Sequence, residues 1–311
     1  MTFFGSTAND AAYNAWLTDA GDDSNRGRIE GINAMMPLVA ILVVFGGFMA
    51  FDQDLPETWV LIFGVIGTVV LALGIAGFFL IDEIPSKTAG NENYFKNLVY
   101  GFRPGVIRDN AALYLTLLAY AVFNISIQIY MPYLILYYSV SLGMDNYVLL
   151  FAPAIILAAA FTFFNGKVYD KKGFTGSVFT PIILLMSGYT VLYFFKDTVP
   201  VFLGTLIMLS GYLSGMGIFG AMLRDNTPEN KAGMFQGQRI VGQVLLPGII
   251  GPAIGAAVLQ NAEVIVNSDG TESFLPNANI FLAAFVAAVA IFAALLPLLK
   301  MLKTERKDYA E

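Results

Sequence analysis

The sequence predicts an all-α, polytopic membrane protein, and three observations support that fold class. Apolar residues make up 57% of the chain against 13% charged, and the mean hydropathy is +0.68, beyond what a soluble domain of this size tolerates. Apolar runs long enough to cross about 30 Å of hydrocarbon recur along the chain. The cations are sorted: with those runs taken as helices, every one of the 17 lysines and arginines except Lys196 falls on one side.

The predicted spans are Ile32–Phe51, Thr58–Ile81, Ala111–Tyr138, Tyr147–Asn165, Ser177–Phe195, Val199–Leu223, Ile240–Gln260 and Ile280–Leu299. Each is too long for a barrel strand and long enough for a helix. The cation-rich side is cytoplasmic by the positive-inside rule, so both termini are expected inside a cell's inner (plasma) membrane. Between the second and third spans, Asp82 to Asp109 is polar. Within it Tyr94, Phe95, Leu98, Val99 and Phe102 fall at helical spacing, which predicts an interfacial helix. The expected organisation is a remainder of an N-terminal bundle (1–81), a cytoplasmic linker (82–109), a six-helix C-terminal bundle (110–300) and a cytoplasmic tail (301–311).

An internal repeat runs through this pattern. Asp19, Gly27 and Gly31 recur as Asp225, Gly233 and Gly237, each 206 positions later, and Gly5, Ala15 and Leu17 recur as Gly211, Ala221 and Leu223. Repeated halves are a sequence signature of transporters. By the same offset, residues 1–17 read as the cytoplasmic part of a helix, and the repeat expects three further helices before it. An amphipathic segment lying on the membrane is the alternative for residues 1–17.

The chain contains no cysteine and no histidine. That excludes disulfides, thiol nucleophiles, histidine-ligated metals and histidine proton relays. No pair of groups for catalysis is visible within the spans, so a non-enzyme without cofactor or metal is expected.

Several polar residues stand out against the apolar background. Asp10 is the one carboxylate inside a predicted helix, where an ionisable group usually faces a polar cavity; Asn14 lies one turn further on the same face. Tyr120, Asn124 and Gln128 form a stripe with a spacing of four. Such a stripe suits sugar hydroxyls, and it equally suits hydrogen bonds between helices. Gln243 could face the same cavity, whereas Ser210 and Ser214 are expected to bond their own helix backbone. Gly211, Gly215, Gly248, Gly251 and Gly255 suit close helix packing, and Pro247 and Pro252 predict kinks. Asp19, Arg26, Gly27, Asp225, Lys231 and Gly233 read as gate loops or, as plainly, as caps and sorted charge.

Gly166-Lys-Val-Tyr-Asp170-Lys171-Lys-Gly173 resembles the Gly-x-x-x-Asp-Arg/Lys-x-Gly loop of the major facilitator superfamily, and it sits between the fourth and fifth spans, where a second copy of that loop belongs. The physical expectation is an aspartate at a helix N-terminus, with cations beside it, holding one conformation. The resemblance implies a twelve-helix fold, here truncated to about eight full spans plus a partial N-terminal helix. Within that superfamily, Asn9-Asp10 through Tyr13 and Asp19 to Arg26 is similar to the glycoside–pentoside–hexuronide:cation symporters, which implies that Asp10 contacts sugar. Two features depart from that group: the second loop, Arg224-Asp225-Asn-Thr-Pro-Glu, and Gln243 where a lysine is expected.

The resulting expectation is a sugar or glycoside permease, coupled to H+ or Na+, with Asp10, Asn14, Tyr120, Asn124, Gln128 and Gln243 lining its site. In the resembling group the acidic cation ligands lie largely on helices this chain lacks. The alternative expectation is a non-transporting fragment, or a subunit completed by a partner chain that supplies the missing helices.

Overall fold

A computed structural model describes residues 13–14, 16–17, 24–48, 51, 55–80, 100–144, 146–228, 232–266 and 272–308. The chain divides into two compact units, Met1–Met35 with Ala89–Glu311, and Met36–Thr88.

All eight predicted spans are met by helices. Helix α1 (Arg26–Phe48) starts six residues before its predicted span and carries Pro37 inside. Helix α2 (Pro56–Leu80) opens on proline, whose missing N–H costs nothing at a helix start, with Glu57 in the first turn. It is apolar all round, and Phe78, Phe79 and Leu80 are exposed, as expected of a helix whose solvent is lipid.

In the larger unit, a 3-10 turn (Tyr100–Phe102) and a short helix α3 (Pro104–Asp109) lead into α4 (Ala111–Ser141). Then follow α5 (Tyr147–Ser177), α6 (Phe179–Phe194), α7 (Thr198–Asp225), α8 (Gln236–Val258) and α9 (Asn279–Asp308). Six helices (α2, α4, α5, α7, α8 and α9) are long and apolar enough to cross a membrane among the described residues, and α6 is a shorter apolar helix. The chain is a multi-pass membrane protein.

One expectation needs correction, and two features were not foreseen. The stretch Gly166–Gly173 is not a loop: α5 continues through it and breaks only at Gly173, whose φ of 67° suits glycine. Nothing earlier in that stretch interrupts a helix, because Lys, Val, Tyr and Asp all tolerate one outside the hydrocarbon. The predicted tail is likewise helical as far as Asp308, as part of α9. Between α8 and α9 a small hairpin was not foreseen, β1 (Val264–Val266) and β2 (Glu272–Phe274), antiparallel with Val264 opposite Phe274. The interfacial helix expected around Tyr94–Val99 lies outside the described residues; Phe102 of that pattern is exposed in the 3-10 turn.

Helix α7 is the most buried, packing against α5, α6 and α4, while α4 also packs against α8 and α9. Small residues set these approaches. A Cβ at Gly211 would stand 2.7 Å from the Pro181 carbonyl, so α6 and α7 touch backbone to backbone there. Gly215 faces Phe123, and Gly251 and Gly255 face α4, as expected; Gly248 meets nothing within 4 Å, so it is no packing contact.

The repeat is visible in the helix starts. Arg26 opens α1, and 26 + 206 = 232 is the first residue of the 3-10 turn Ala232–Phe235 that leads into α8.

Candidate functional site

The ends of α1, α5 and α7 meet in a cluster of charges. α1 begins Arg26-Gly27-Arg28 directly after Asn25, whose carbonyl accepts the Ile29 N–H at 3.0 Å as an N-cap residue does. Asp170, from the last turn of α5 before its break, adds a carboxylate to that helix start. Its Oδ1 accepts the Gly27 N–H at 2.8 Å and its Oδ2 accepts Arg28 Nε at 2.9 Å. A carboxylate on the exposed amides of a helix start is favoured by both hydrogen bonding and the helix dipole. The aspartate therefore sits at a helix N-terminus as expected, but the helix belongs to another part of the chain.

Glycines permit this contact. A Cβ on Gly27 would lie 2.6 Å from the Gly166 carbonyl, and a Cβ on Gly166 would lie 2.6 Å from that of Gly27. One turn further, Gly31 lies against Thr162 of α5, and a Cβ on Gly217 of α7 would come within 3.2 Å of Gly31. The i, i+4 glycines of α1 thus lay its first turns between α5 and α7.

Asp225, at the end of α7, lies 3.2 Å from Arg26 Nε through Oδ1 and accepts the Tyr169 hydroxyl on Oδ2. Deeper on the same face, Arg224 donates Nε to Oε1 of Glu30. The two side chains are 1% and 3% exposed, so this is a fully buried ion pair. Arg224 also donates Nη1 to the Asn14 carbonyl at 2.7 Å and Nη2 to Asn14 Oδ1 at 3.1 Å. Asn33 donates Nδ2 to Glu30 Oε2 at 3.5 Å, and its Oδ1 accepts the Tyr13 hydroxyl at 3.4 Å. A buried charge is tolerated only when it is paired and its remaining hydrogen-bonding sites are filled, and this arrangement does both.

Sequence reasoning missed Glu30 and Arg224. Glu30 precedes the predicted span by two residues because the polar start of α1 carries no hydropathy signal. Arg224 reads as sorted charge beside Asp225. A carboxylate and an arginine, each at the edge of an apolar run, were the available signal.

The expected sugar stripe is differently occupied. Tyr120 is buried, donates to the Met216 carbonyl at 3.2 Å and stacks on Phe219 with ring centres 5.4 Å apart. Asn124 donates Nδ2 to the backbone carbonyl of Gln243 at 3.1 Å. That carbonyl is available because Pro247, four residues on, has no N–H, and Val241–Leu245 relaxes into a π-helical turn before the proline. Gln128 is half-buried, beside the point where Gly251 meets α4. The structure thus joins Asn124 to Gln243 and places Asn14 on Arg224. Lys171 is exposed, and Gly233 lies in the 3-10 turn before α8. Asp10, Asp19 and Lys231 lie outside the described residues. Ser210 bonds its own helix as expected, donating to the Leu206 carbonyl, whereas Ser214 pairs with Thr162 across to α5 at 3.3 Å.

Asn124→Leu is expected to lower stability by about 1–3 kcal/mol by stranding the Gln243 carbonyl. Pro247→Ala, which returns an N–H to that carbonyl, should recover much of the loss. Melting curves of the two single variants and the double variant check this; strict additivity would refute the account.

No individually curated protein matches the chain. The model of the Major Facilitator Superfamily matches residues 1–252, a stretch that contains the helix starts, the Asp170 contacts and the Glu30–Arg224 pair. The chain belongs to the Major Facilitator Superfamily, a family of transporters.

Proposed function

We propose that the chain serves a sugar or glycoside permease of the inner membrane, coupled to H+ or Na+, that works by alternating access. The observation that best supports a moving part is the charged cluster. Asn14, Arg26, Arg28 and Glu30 come from the first repeat and Asp170, Arg224 and Asp225 from the second, and these ion pairs and hydrogen bonds, with the glycine contacts beside them, would have to be broken for the two to separate. In this reading the cluster is the cytoplasmic gate in its closed form, with both termini on that side. Asp10, Tyr120, Asn124, Gln128 and Gln243 line the path to the substrate, and Gly27, Gly233, Lys171, Asp19 and Lys231 belong to the gate loops.

The test is uptake by membrane vesicles carrying the full chain, with a panel of radiolabelled sugars and glycosides under an imposed Na+ or H+ gradient. Uptake above that of empty vesicles, collapsing when the gradient is dissipated, is the expected result. Uptake indifferent to both gradients removes the symport reading, and no uptake of any sugar removes the substrate class.

A further inference from the structure

On α5 the surface that faces lipid ends in three lysines. The helix presents an exposed apolar stripe, Leu149, Ile156, Leu157, Phe161 and Phe164, as a helix lying against acyl chains does. Lys167, Lys171 and Lys172 then follow, all exposed. Lys171 comes seven residues after Phe164, two turns on, so the two share a face. The one carboxylate in this stretch, Asp170, is turned inward: its side chain is 7% exposed and is engaged by Arg28 and the Gly27 N–H. Among the described residues none of the three lysines forms an ion pair.

Two contacts fix where these charges stand. The Lys167 ammonium lies over the rings of Phe163 and Phe164, 4.6 and 5.3 Å from their centres. It is folded back toward the apolar stripe instead of reaching for bulk water, and the rings favour a cation there. Gly173, with its φ of 67°, turns the chain so that Lys172 lies along the residues past the break; a Cβ on Gly176 would stand 2.7 Å from Lys172 Cβ. The predicted span ends at Asn165, so the three cations gather where hydrocarbon gives way to headgroups. Positive-inside sorting explains why they are on this side of the membrane. It does not explain why one of them is laid on lipid-facing rings.

A phospholipid supplies both halves of the complement. Its phosphate oxygens accept from ammonium groups, and its acyl chains lie along the stripe. A soluble phosphate supplies the first half only. We propose that this rim of α5 is a docking site for an anionic phospholipid of the cation-rich side of the membrane. The phosphate sits on Lys167 and Lys171 with Lys172 alongside, and an acyl chain runs over Phe164 and Phe161. Such a lipid belongs to the protein's surroundings, and its binding does not depend on which molecule is transported.

The test titrates the purified full chain in detergent with dioleoylphosphatidylglycerol, dioleoylphosphatidylcholine and soluble glycerol 1-phosphate, reading melting temperature and Kd. Phosphatidylglycerol is expected to raise the melting temperature and to bind about tenfold more tightly than phosphatidylcholine, whose choline cancels the phosphate charge. Glycerol 1-phosphate, without acyl chains, should do neither. Lys167→Gln with Lys171→Gln should weaken phosphatidylglycerol binding by about fivefold for each lysine removed. An equal loss of charge at the end of α9, Lys300→Gln with Lys303→Gln, should bind as the parent does, because α9 packs against α4 and α6. All four side chains are exposed, so both variants are expected to melt as the parent does without added lipid. Equal binding of the two lipids overturns the site, as does an α5 variant that binds as the parent does. Equal losses from the α5 and α9 variants would mark general attraction of cations to a charged surface and would also overturn it. A melting shift with glycerol 1-phosphate as large as that with phosphatidylglycerol would make free phosphate the ligand and remove the lipid.

Discussion

Arg224→Ala and Glu30→Ala are each expected to destabilise the protein by about 3–5 kcal/mol, the largest effects of any single truncation at the cluster. Either change leaves a charge buried without its partner, in a place where both side chains are almost wholly withdrawn from solvent. The Arg224 change also strands the Asn14 carbonyl and amide, which accept from the guanidinium. Replacing both, as Glu30→Gln with Arg224→Gln, removes the charges together and should cost less than the two single changes summed. Denaturation of the purified singles and the double in detergent gives the coupling energy directly. Additive losses would mean that the pair is not the unit it is taken to be. A charge exchange, Glu30→Arg with Arg224→Glu, should recover part of the stability and none of the Asn14 contacts.

Gly27→Val is expected to push α1 away from α5, because the new side chain would occupy the space of the Gly166 carbonyl. Overpacking of this kind costs about 1–3 kcal/mol, and here it also lengthens both hydrogen bonds to Asp170. The chain contains no cysteine, so a single introduced thiol reports the separation cleanly. Thr162 is buried beside Gly31 and Ser214. Thr162→Cys should react slowly with a maleimide in the otherwise unchanged chain and faster when Gly27→Val is added. An unchanged labelling rate would show that α1 does not depend on the glycine contact. Gly166→Val should act in the same way from the other side.

Which of these features could be read from residues alone follows from the range of the interactions involved. Helix existence is a local property: some twenty apolar residues in a row have one stable solution in lipid, and each predicted span found its helix. The repeat was equally legible, since the glycine spacing that marks it also marks the start of α1 and the turn into α8. Boundaries were less so. Hydropathy ends where polar residues begin, but the hydrogen-bonded helix does not, so the starts of α1 and the ends of α5 and α9 lay beyond the apolar runs. Glu30 was lost for that reason.

The site depended on pairing, which sequence does not carry. Asn14 had the composition of a sugar ligand and proves to be a partner of Arg224; Asn124 had the same composition and holds the carbonyl released by Pro247. An amide side chain is an equally good partner for a hydroxyl, a guanidinium or a backbone group, and only position selects among them. The amino-acid sequence by itself determined a multi-pass, helical membrane protein, because lipid forces each segment to satisfy its own backbone. Only the tertiary structure decided that Asp170 accepts from the start of α1, that Glu30 meets Arg224 across 194 residues, and that the Gln243 side chain accepts from Arg239. Those outcomes turn on which helix faces come together, and glycine contacts between distant segments set those faces.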